Sequence, residues 1–157
     1  DIGCYCVNLS RMLFGAEPDR VSGALARDPV GGTDTLVTGT LEFGERIATF
    51  TASTRAEDDQ RVHVYGTRGR ISVEIPFNIP PDLPTRVYVA AGGNPPVAPS
   101  VETLTFPPAD PYTAEAAAFA DAVLARRPVP VPPADAVANL RVIEAVFASA
   151  ATRVGSG

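Results

Sequence analysis

The chain has 157 residues, of which 45% are hydrophobic and 20% charged, so it is long enough to form one domain with a hydrophobic core. Its 13 basic residues are all arginines and face 18 acidic residues, for a net charge of -5. That balance argues against nucleic-acid binding, which requires a basic surface. No apolar run approaches the roughly 20 residues of a membrane-spanning helix. Because lysine is absent, any chemistry that needs one must take it from outside this chain.

The first predicted element is a helix over residues 2–14, "IGCYCVNLSRMLF". Apolar side chains recur in it at the spacing of an amphipathic helix. Gly15 follows at the position where a helix commonly ends. The side chains that this spacing predicts to face the core are Ile2, Cys6, Leu9 and Leu13.

Strands are predicted next, because the following segments alternate apolar with polar residues and are rich in Val, Ile, Thr and aromatics. The separators "GE" at 44–45 and "TRG" at 67–69 have the length of hairpin turns. This part of the sheet is therefore predicted to be largely antiparallel. The five strands are predicted over residues 20–28, 35–44, 46–54, 61–67 and 70–77.

The remaining part of the chain begins with proline-rich segments around short strands at 86–91 and 101–106. Proline lacks a backbone donor, so these segments belong to loops and sheet edges. Helices are predicted over 112–127 and 134–154. The side chains predicted to face inward are Ala116, Phe119, Ala120, Val123 and Leu124 on the first, and Val137, Leu140, Ile143, Val146 and Phe147 on the second.

This order of elements predicts an α+β domain with an open, mixed and mostly antiparallel sheet and with helices packed on one face. The other sheet face then needs a partner or solvent. We predict that it is only partly polar and serves as an oligomer surface. The alternating positions that suggest this are Val37, Leu41 and Phe43, with Ile47, Thr49 and Thr51.

The cysteines and the histidine do not predict a metal site. Cys4 and Cys6 would lie about 200° apart around a helix, which suits neither a disulfide nor a shared metal. We expect both to be reduced and structural. His63 is the one histidine and cannot build a metal site alone. It shares a strand face with Tyr65, which predicts a solvent or interface position.

A polar stripe also runs along the first predicted helix, where Asp1, Tyr5 and Asn8 fall at i, i+4 and i+7. One interpretation is an acid-assisted tyrosine that faces a cleft, since a helix N-terminus favours an ionised Asp1. The other is an Asp N-cap, an amphipathic tyrosine and a solvated asparagine. The spacing alone favours the second interpretation.

Resemblance to a known family changes that balance. "DIGCYCVN" followed by "RMLFGAEPDRVSG" resembles the start of the C-terminal domain of the Gfo/Idh/MocA oxidoreductases, which begins on a helix bearing Asp-x-Gly-x-His or Asp-x-Gly-x-Tyr. "HVYGTRGRISVEIPF" is similar to the family's mid-sheet hairpin. "YTAEAAAFADAVLARRPVPVPPADAVANLRVIEAVFASA" is similar to its closing helices. The resemblance covers essentially the whole chain.

The resemblance implies that residues 1–157 form the substrate-binding and oligomerisation domain of a longer enzyme. In the family, a Rossmann domain with a glycine-rich nucleotide-binding turn and a catalytic lysine precedes this point. Neither feature is in this sequence. We therefore expect a fragment that is inactive without its Rossmann domain. A non-catalytic oligomerisation or binding module of the same fold is the alternative.

The implied reaction is hydride transfer between a sugar or cyclic diol and NAD or NADP, which the Rossmann domain would mainly bind. Tyr5 matches the position of the family's proton-transferring His or Tyr. A free phenol has a pKa of about 10. To act as a base near neutral pH, Tyr5 would therefore need a neighbouring cation, which the missing lysine would supply. Asp1 would orient the lysine or the substrate hydroxyl.

The resemblance also implies a role for two further residues. Asn8 would contact substrate, and Tyr112 would approach the cofactor. The tyrosine in place of histidine resembles the branch with glucose-fructose oxidoreductase, dihydrodiol dehydrogenase and xylose dehydrogenase, and makes an inositol substrate doubtful. A homo-oligomer in the cytoplasm is expected, with neither nucleic acid nor membrane as partner.

Overall fold

The computed structural model describes residues 2–92 and 100–152, and every predicted element is present in that part of the chain. The helices and strands begin and end within about three residues of the predicted bounds. Among the described residues, no helix is both long and apolar enough to cross a membrane. The helices are α1 (Gly3–Phe14), α2 (Pro111–Leu124) and α3 (Pro133–Thr152). The strands are β1 (Arg20–Arg27), β2 (Asp34–Phe43), β3 (Arg46–Ser53), β4 (Arg61–Gly66), β5 (Gly69–Glu74), β6 (Thr85–Ala91) and β7 (Val101–Phe106).

The α+β class is confirmed, and the described strands form two open sheets. One has the order β1-β2-β3 and the other β4-β5-β6-β7, and every described pairing is antiparallel. The chain divides into two compact units, the first made of Asp1–Glu57 with Val131–Gly157 and the second of Asp58–Pro130. Each unit therefore contains one sheet.

The first unit has its core between the three-stranded sheet and the helices α1 and α3. Buried side chains come from all three: Val7, Leu41, Phe43, Val142 and Val146. Helix α3 approaches β1 so closely that a Cβ on Gly23 would lie 2.7 Å from Cγ1 of Val146. Glycine is therefore required there by the distance between helix and strand.

The buried stripe of α1 differs from the predicted one. Val7 and Arg11 are buried, whereas Ile2 and Leu13 are 42% and 50% exposed. Cys6 and Leu9 are half-buried. The buried residues Val7 and Arg11 are centred about 150° around the helix axis from the predicted stripe. A paired arginine occupies one of these positions, and hydrophobicity alone did not find it. Gly15 ends the helix as predicted, with φ 61° and its N–H on the carbonyl of Arg11 at 2.8 Å.

The buried side chains of α3 were predicted correctly only in part. Val146 is buried, and Ile143 and Phe147 are half-buried, as expected. Val137 and Leu140 are exposed, and the buried positions continue instead toward the C-terminal end with Val142 and Ala150. The helix packs on the sheet mainly through its second half, where it crosses β1.

The sheet of the first unit has two chemically different faces. The sequence analysis assigned residues of both faces to the open one. Val37, Leu41 and Phe43 face the helices and belong to the core, so their assignment to the open face was wrong. The other three residues do lie on the opposite face, because Ile47 pairs with Glu42, Thr49 with Thr40, and Thr51 with Thr38. That open face therefore carries four threonines on β2 and β3, together with Leu36, Glu42 and Ile47.

The second unit contains the predicted hairpin between β4 and β5, and a helix, α2, whose side chains are mostly exposed. Gly66 pairs with Gly69 across a two-residue turn. Asp110 caps α2, accepting hydrogen bonds from the Tyr112 N–H at 3.0 Å and the Thr113 hydroxyl at 2.7 Å. Ala122 is the buried residue of this helix. The prediction for this helix was wrong, because all five side chains predicted to face inward are exposed: Ala116, Phe119, Ala120, Val123 and Leu124.

Candidate functional site

The exposed side of α1 carries two of the four predicted site residues. Tyr5 is 43% exposed, and Asn8, three residues later, is also exposed. Residues three apart on a helix are neighbours on its surface, with Cβ atoms roughly 5 to 6 Å apart. The structure thus places Tyr5 and Asn8 side by side. Asp1 lies outside the described residues, so its predicted role stays a prediction.

Asn8 is held by a residue of α3. Its Nδ2 donates a hydrogen bond to Oδ2 of Asp135 at 3.2 Å. A carboxylate oxygen accepts hydrogen bonds and cannot donate them. The amide nitrogen must therefore face Asp135, which leaves the amide oxygen Oδ1 directed elsewhere.

A buried arginine holds the same carboxylate from the other side. Arg11 is only 7% exposed, and its Nη2 donates to Oδ1 of Asp135 at 2.8 Å. The guanidinium also makes a two-pronged contact with Glu17, from Nε to Oε2 at 2.9 Å and from Nη2 to Oε1 at 2.7 Å. Such planar paired contacts restrict both partners strongly. The buried charge of Arg11 is thereby compensated by two carboxylates.

A second link joins α1 and α3 at Asn139, one turn after Asp135. Its Nδ2 donates to the carbonyl oxygen of Cys4 at 3.2 Å, and its Oδ1 lies 3.5 Å from Nη1 of Arg11. Nη1 of Arg11 also donates to the backbone oxygen of Asp135 at 3.4 Å. The two helices are therefore connected by a continuous polar network that includes Asn8 and is centred on the buried Arg11.

The sequence analysis did not predict this network, although the helical spacing of its residues indicates it. Asp135 and Asn139 lie four residues apart and so share a face of α3. Arg11 lies four residues after Val7, in the buried stripe of α1. A charged residue at a position that helical spacing assigns to the core requires partners, and the acidic residues nearby in space supply them.

The charges in this network shift one another's titration. The hydrogen bond with Glu17 raises the pKa of Arg11, with Asp135 adding to the effect against the cost of burial. The same hydrogen bond lowers the pKa of Glu17 below its ordinary value of 4.5. The ion pair between α1 and the segment after it therefore persists throughout the neutral pH range.

A cavity of about 380 Å³ lies beside the start of α1, within the first unit. Its wall includes Gly3 and Cys4 from the helix, Asp34 from β2 and Phe147 from α3. Tyr5 is not among the lining residues. The cavity is thus a separate feature from the surface that carries Tyr5 and Asn8.

Tyr112, the predicted cofactor contact, belongs to the second unit. It lies in the first turn of α2, and its hydroxyl donates to Oδ1 of Asn78 at 2.9 Å. Asn78 follows β5 and has φ 50°, a left-handed conformation that asparagine tolerates better than most residues. The ring is 66% exposed, so it is available to a ligand.

The other residues considered from the sequence have ordinary structural surroundings. Burial, helped by the nearby Cys4, raises the pKa of the Cys6 thiol, which disfavours the reactive thiolate. Both cysteines are free. His63 is exposed, with Nδ1 2.9 Å from the Ser72 hydroxyl and its ring 6.2 Å from that of Tyr65. Within residues 2–92 and 100–152, no three His, Cys, Asp or Glu side chains are grouped so that they could hold a metal.

The described residues do not provide a dinucleotide site of the Rossmann kind. Such a site requires a βαβ unit, in which parallel strands flank a helix. All strand pairs in the described part of the chain are antiparallel. This chain can therefore offer a ligand surface groups such as the Tyr5 hydroxyl, the Asn8 amide and the Tyr112 ring.

Comparison with known proteins identifies the family of this architecture. Residues 1–72 match the family described as the GFO/IDH/MocA C-terminal domain. An uncharacterized oxidoreductase of Rhizobium meliloti, ORF334, is 36% identical over 96% of this chain and 45% of its own length. D-xylose 1-dehydrogenase (NADP(+)) 2 of Haloferax volcanii is 33% identical over 97% of this chain and 45% of its own length. Human trans-1,2-dihydrobenzene-1,2-diol dehydrogenase is 35% identical over 53% of this chain and 25% of its own length.

Solved structures share the fold. An aldose-aldose oxidoreductase from Caulobacter crescentus, complexed with glycerol, has a TM-score of 0.78 at 22% identity, over 96% of this chain and 44% of that chain. A 3-ketoreductase from Actinomadura kijaniata, in complex with TDP-benzene and NADP, has a TM-score of 0.83 at 20% identity, over 95% of this chain and 46% of that chain. This chain thus spans about 45% of the length of the two curated relatives that it matches over nearly its whole length.

Proposed function

Because this chain belongs to the GFO/IDH/MocA family as its C-terminal domain, we propose that it supplies the substrate side of an NAD(P)-dependent oxidoreductase acting on a sugar or a cyclic diol. The observation that carries the proposal is the surface of α1, where Tyr5 and Asn8 are exposed and Asn8 is held by a polar network centred on the buried Arg11. Relatives named as a xylose dehydrogenase and a dihydrobenzenediol dehydrogenase support the substrate class.

The proposed task of Tyr5 is proton transfer at the substrate oxygen. Oxidation of a carbinol removes a hydride from carbon and a proton from oxygen, and the nicotinamide cofactor accepts the hydride. The Tyr5 oxygen, in its phenolate form, then takes the proton from the substrate oxygen and becomes the hydroxyl, which returns that proton in the reverse direction. Since this chain has no lysine, the cation that activates the phenol comes from the Rossmann domain of the same polypeptide. Asp1 orients that cation or the substrate hydroxyl.

The proposed contribution to cofactor binding is limited to Tyr112. Its exposed ring lies at the start of α2, with the hydroxyl bound to Asn78. The main cofactor site is assigned to the Rossmann domain, in agreement with the antiparallel strands described here. The isolated chain is therefore inactive.

The test compares two tyrosines in the longest natural protein that carries this chain. D-xylose and trans-1,2-dihydrobenzene-1,2-diol are offered with NAD⁺ and NADP⁺, and reduced cofactor is measured by absorbance. Tyr5→Phe should lower kcat by about 100-fold or more, as expected for loss of a proton-transfer group. Tyr65→Phe is the matched control, because that tyrosine is 73% exposed on a strand. Equal activity of both variants would refute the role of Tyr5, and turnover by residues 1–157 alone would refute the need for a second domain.

The open face of the three-stranded sheet is the proposed oligomer surface. It presents Thr38, Thr40, Thr49 and Thr51 with the 61% exposed Ile47. Thr40→Lys with Thr49→Lys would place like charges opposite each other on this face. The double variant should shift the protein to monomers in light scattering, whereas an unchanged mass would place the interface elsewhere. A protein that oligomerises but turns over no substrate would favour the alternative, a non-catalytic module.

The cytoplasm is the proposed location. Both cysteines are free thiols, and thiols stay reduced in that compartment.

A further inference from the structure

We infer that Asp135 is a positioning residue that makes Asn8 a hydrogen-bond acceptor toward the substrate, and so selects substrates with a second hydroxyl next to the reacting one. This inference rests on the proposed function of Tyr5. Its structural part, the control of the Asn8 amide by Asp135, is independent of any reaction.

The first step is the orientation of Asp135 itself. Its Oδ1 accepts from the buried Arg11 at 2.8 Å, and its Oδ2 accepts from Nδ2 of Asn8 at 3.2 Å. Arg11 is in turn fixed by Glu17. The carboxylate therefore has one oxygen committed to a rigid cation and one left for Asn8.

The second step is the chemistry that Asn8 presents. A free asparagine offers either its donor or its acceptor, because the amide can turn over. With Nδ2 held by an acceptor, the amide cannot turn without losing that bond. Oδ1, on the other arm of the amide, is then held in place as an acceptor for the hydroxyl groups of an approaching ligand, while Nδ2 keeps a second N–H.

The third step is the distance along α1. Tyr5 and Asn8 are neighbours at i and i+3, with Cβ atoms roughly 5 to 6 Å apart. A substrate oxygen that exchanges its proton with Tyr5 thus brings its vicinal hydroxyl toward Oδ1 of Asn8. A polar site rejects an analogue that lacks the matching hydroxyl more strongly than an apolar pocket does.

The test measures discrimination as well as rate. In the full protein with NADP⁺, the ratio of kcat/KM for D-xylose to that for 2-deoxy-D-xylose reports the neighbouring hydroxyl. Asp135→Ala should lower this ratio by about tenfold, chiefly through KM for D-xylose, and Asn8→Ala should do the same. The double variant should lose no more than either single one, because both changes remove one contact.

Glu17→Ala is the matched control, since it also takes one carboxylate from Arg11 but leaves the bond between Asn8 and Asp135. It should lower the ratio by much less than Asp135→Ala does, because Asp135 still accepts the hydrogen bond from Nδ2 of Asn8. An equal fall of the ratio in Glu17→Ala and Asp135→Ala would mean that Asp135 matters only for stability, and would overturn the inference.

An NMR measurement separates failure of this inference from failure of the proposed function. The side-chain amide protons of Asn8 should have well-separated shifts in the unmodified protein, and this separation should diminish in Asp135→Ala. Unchanged amide shifts would overturn the positioning role, whatever the activity. If the amide responds but neither D-xylose nor trans-1,2-dihydrobenzene-1,2-diol is turned over, the substrate part of the inference fails together with the proposed function.

Discussion

Two helices carry the predicted site residues, and they are held in very different ways. Helix α1 buries Val7 in the core of the first unit and Arg11 in an ion-pair network with Glu17 and Asp135. Helix α2 buries Ala122, while its larger apolar side chains Phe119 and Leu124 are 58% and 83% exposed.

The difference shows where this chain is pre-organised. A catalytic group works best when the surroundings fix its position before the substrate arrives. Tyr5 and Asn8 stand on a helix fixed by packing and by charge, so their geometry is determined within the first unit. Tyr112 stands on a helix with little covering, and its ordering depends on an N-cap and one hydrogen bond.

The largest expected effect is on the anchoring of α1. Arg11→Met keeps much of the side-chain volume but leaves Glu17 and Asp135 without their cation. We expect the free energy of unfolding to fall by about 3 kcal/mol. This is the lower end of the range for breaking a buried ion pair, because both carboxylates remain in contact with water. Urea denaturation measures it. Arg20→Met is the control and should cost under about 0.5 kcal/mol, since its pair with Glu42 is exposed and 3.7 Å long.

The same truncation on the two helices compares their packing directly. Val7 is 1% exposed and Val123 is 56% exposed. Val7→Ala should lower the free energy of unfolding by about 2 kcal/mol and Val123→Ala by under about 0.5 kcal/mol. Thermal or urea denaturation of both variants provides the values. Equal costs would show that α2 is covered in the whole protein by residues outside the described part.

The charge network predicts a dependence of stability on pH. Arg11 lowers the pKa of Glu17 in the folded state, so the stabilisation is complete above the ordinary value of 4.5 and is lost as pH falls through the lowered folded value. Between pH 7 and 3, Glu17→Gln should therefore lose less stability than the unmodified protein. Glu45→Gln, at an exposed turn position, should follow the unmodified protein. Parallel curves for all three proteins would contradict the assignment.

The smallest effect is expected at the start of α2. Tyr112→Phe removes the hydrogen bond to Asn78 at an exposed position, which should cost about 0.5 kcal/mol or less. Asn78→Ala should add little to it, because both changes remove one contact. If Tyr112 contacts the cofactor as proposed, its loss should raise KM for NAD(P) several-fold. An unchanged KM would confine Tyr112 to its structural bond.

Secondary structure was predictable along this chain because its signals are local. The hairpin turns "GE" and "TRG", the alternating strands and the alanine-rich helix each specify an element without reference to distant residues. The buried faces were less predictable. Helical spacing placed Leu13 in the core and did not include Arg11, whereas the structure exposes half of Leu13 and buries Arg11, because a charge can be buried when distant residues neutralise it.

The candidate site was likewise predictable from the sequence only in part. The spacing of Tyr5 and Asn8 in the sequence predicted that they share one face of α1, because helix geometry determines this from spacing alone. The family resemblance identified them as site residues. Asp135 lies 127 residues after Asn8 and Asn139 lies 135 after Cys4. Only the tertiary structure could bring them together, because their contacts depend on how α3 packs against α1. The sequence by itself determined which groups α1 presents, and tertiary packing decided how Asn8 is oriented and what holds the helix in place.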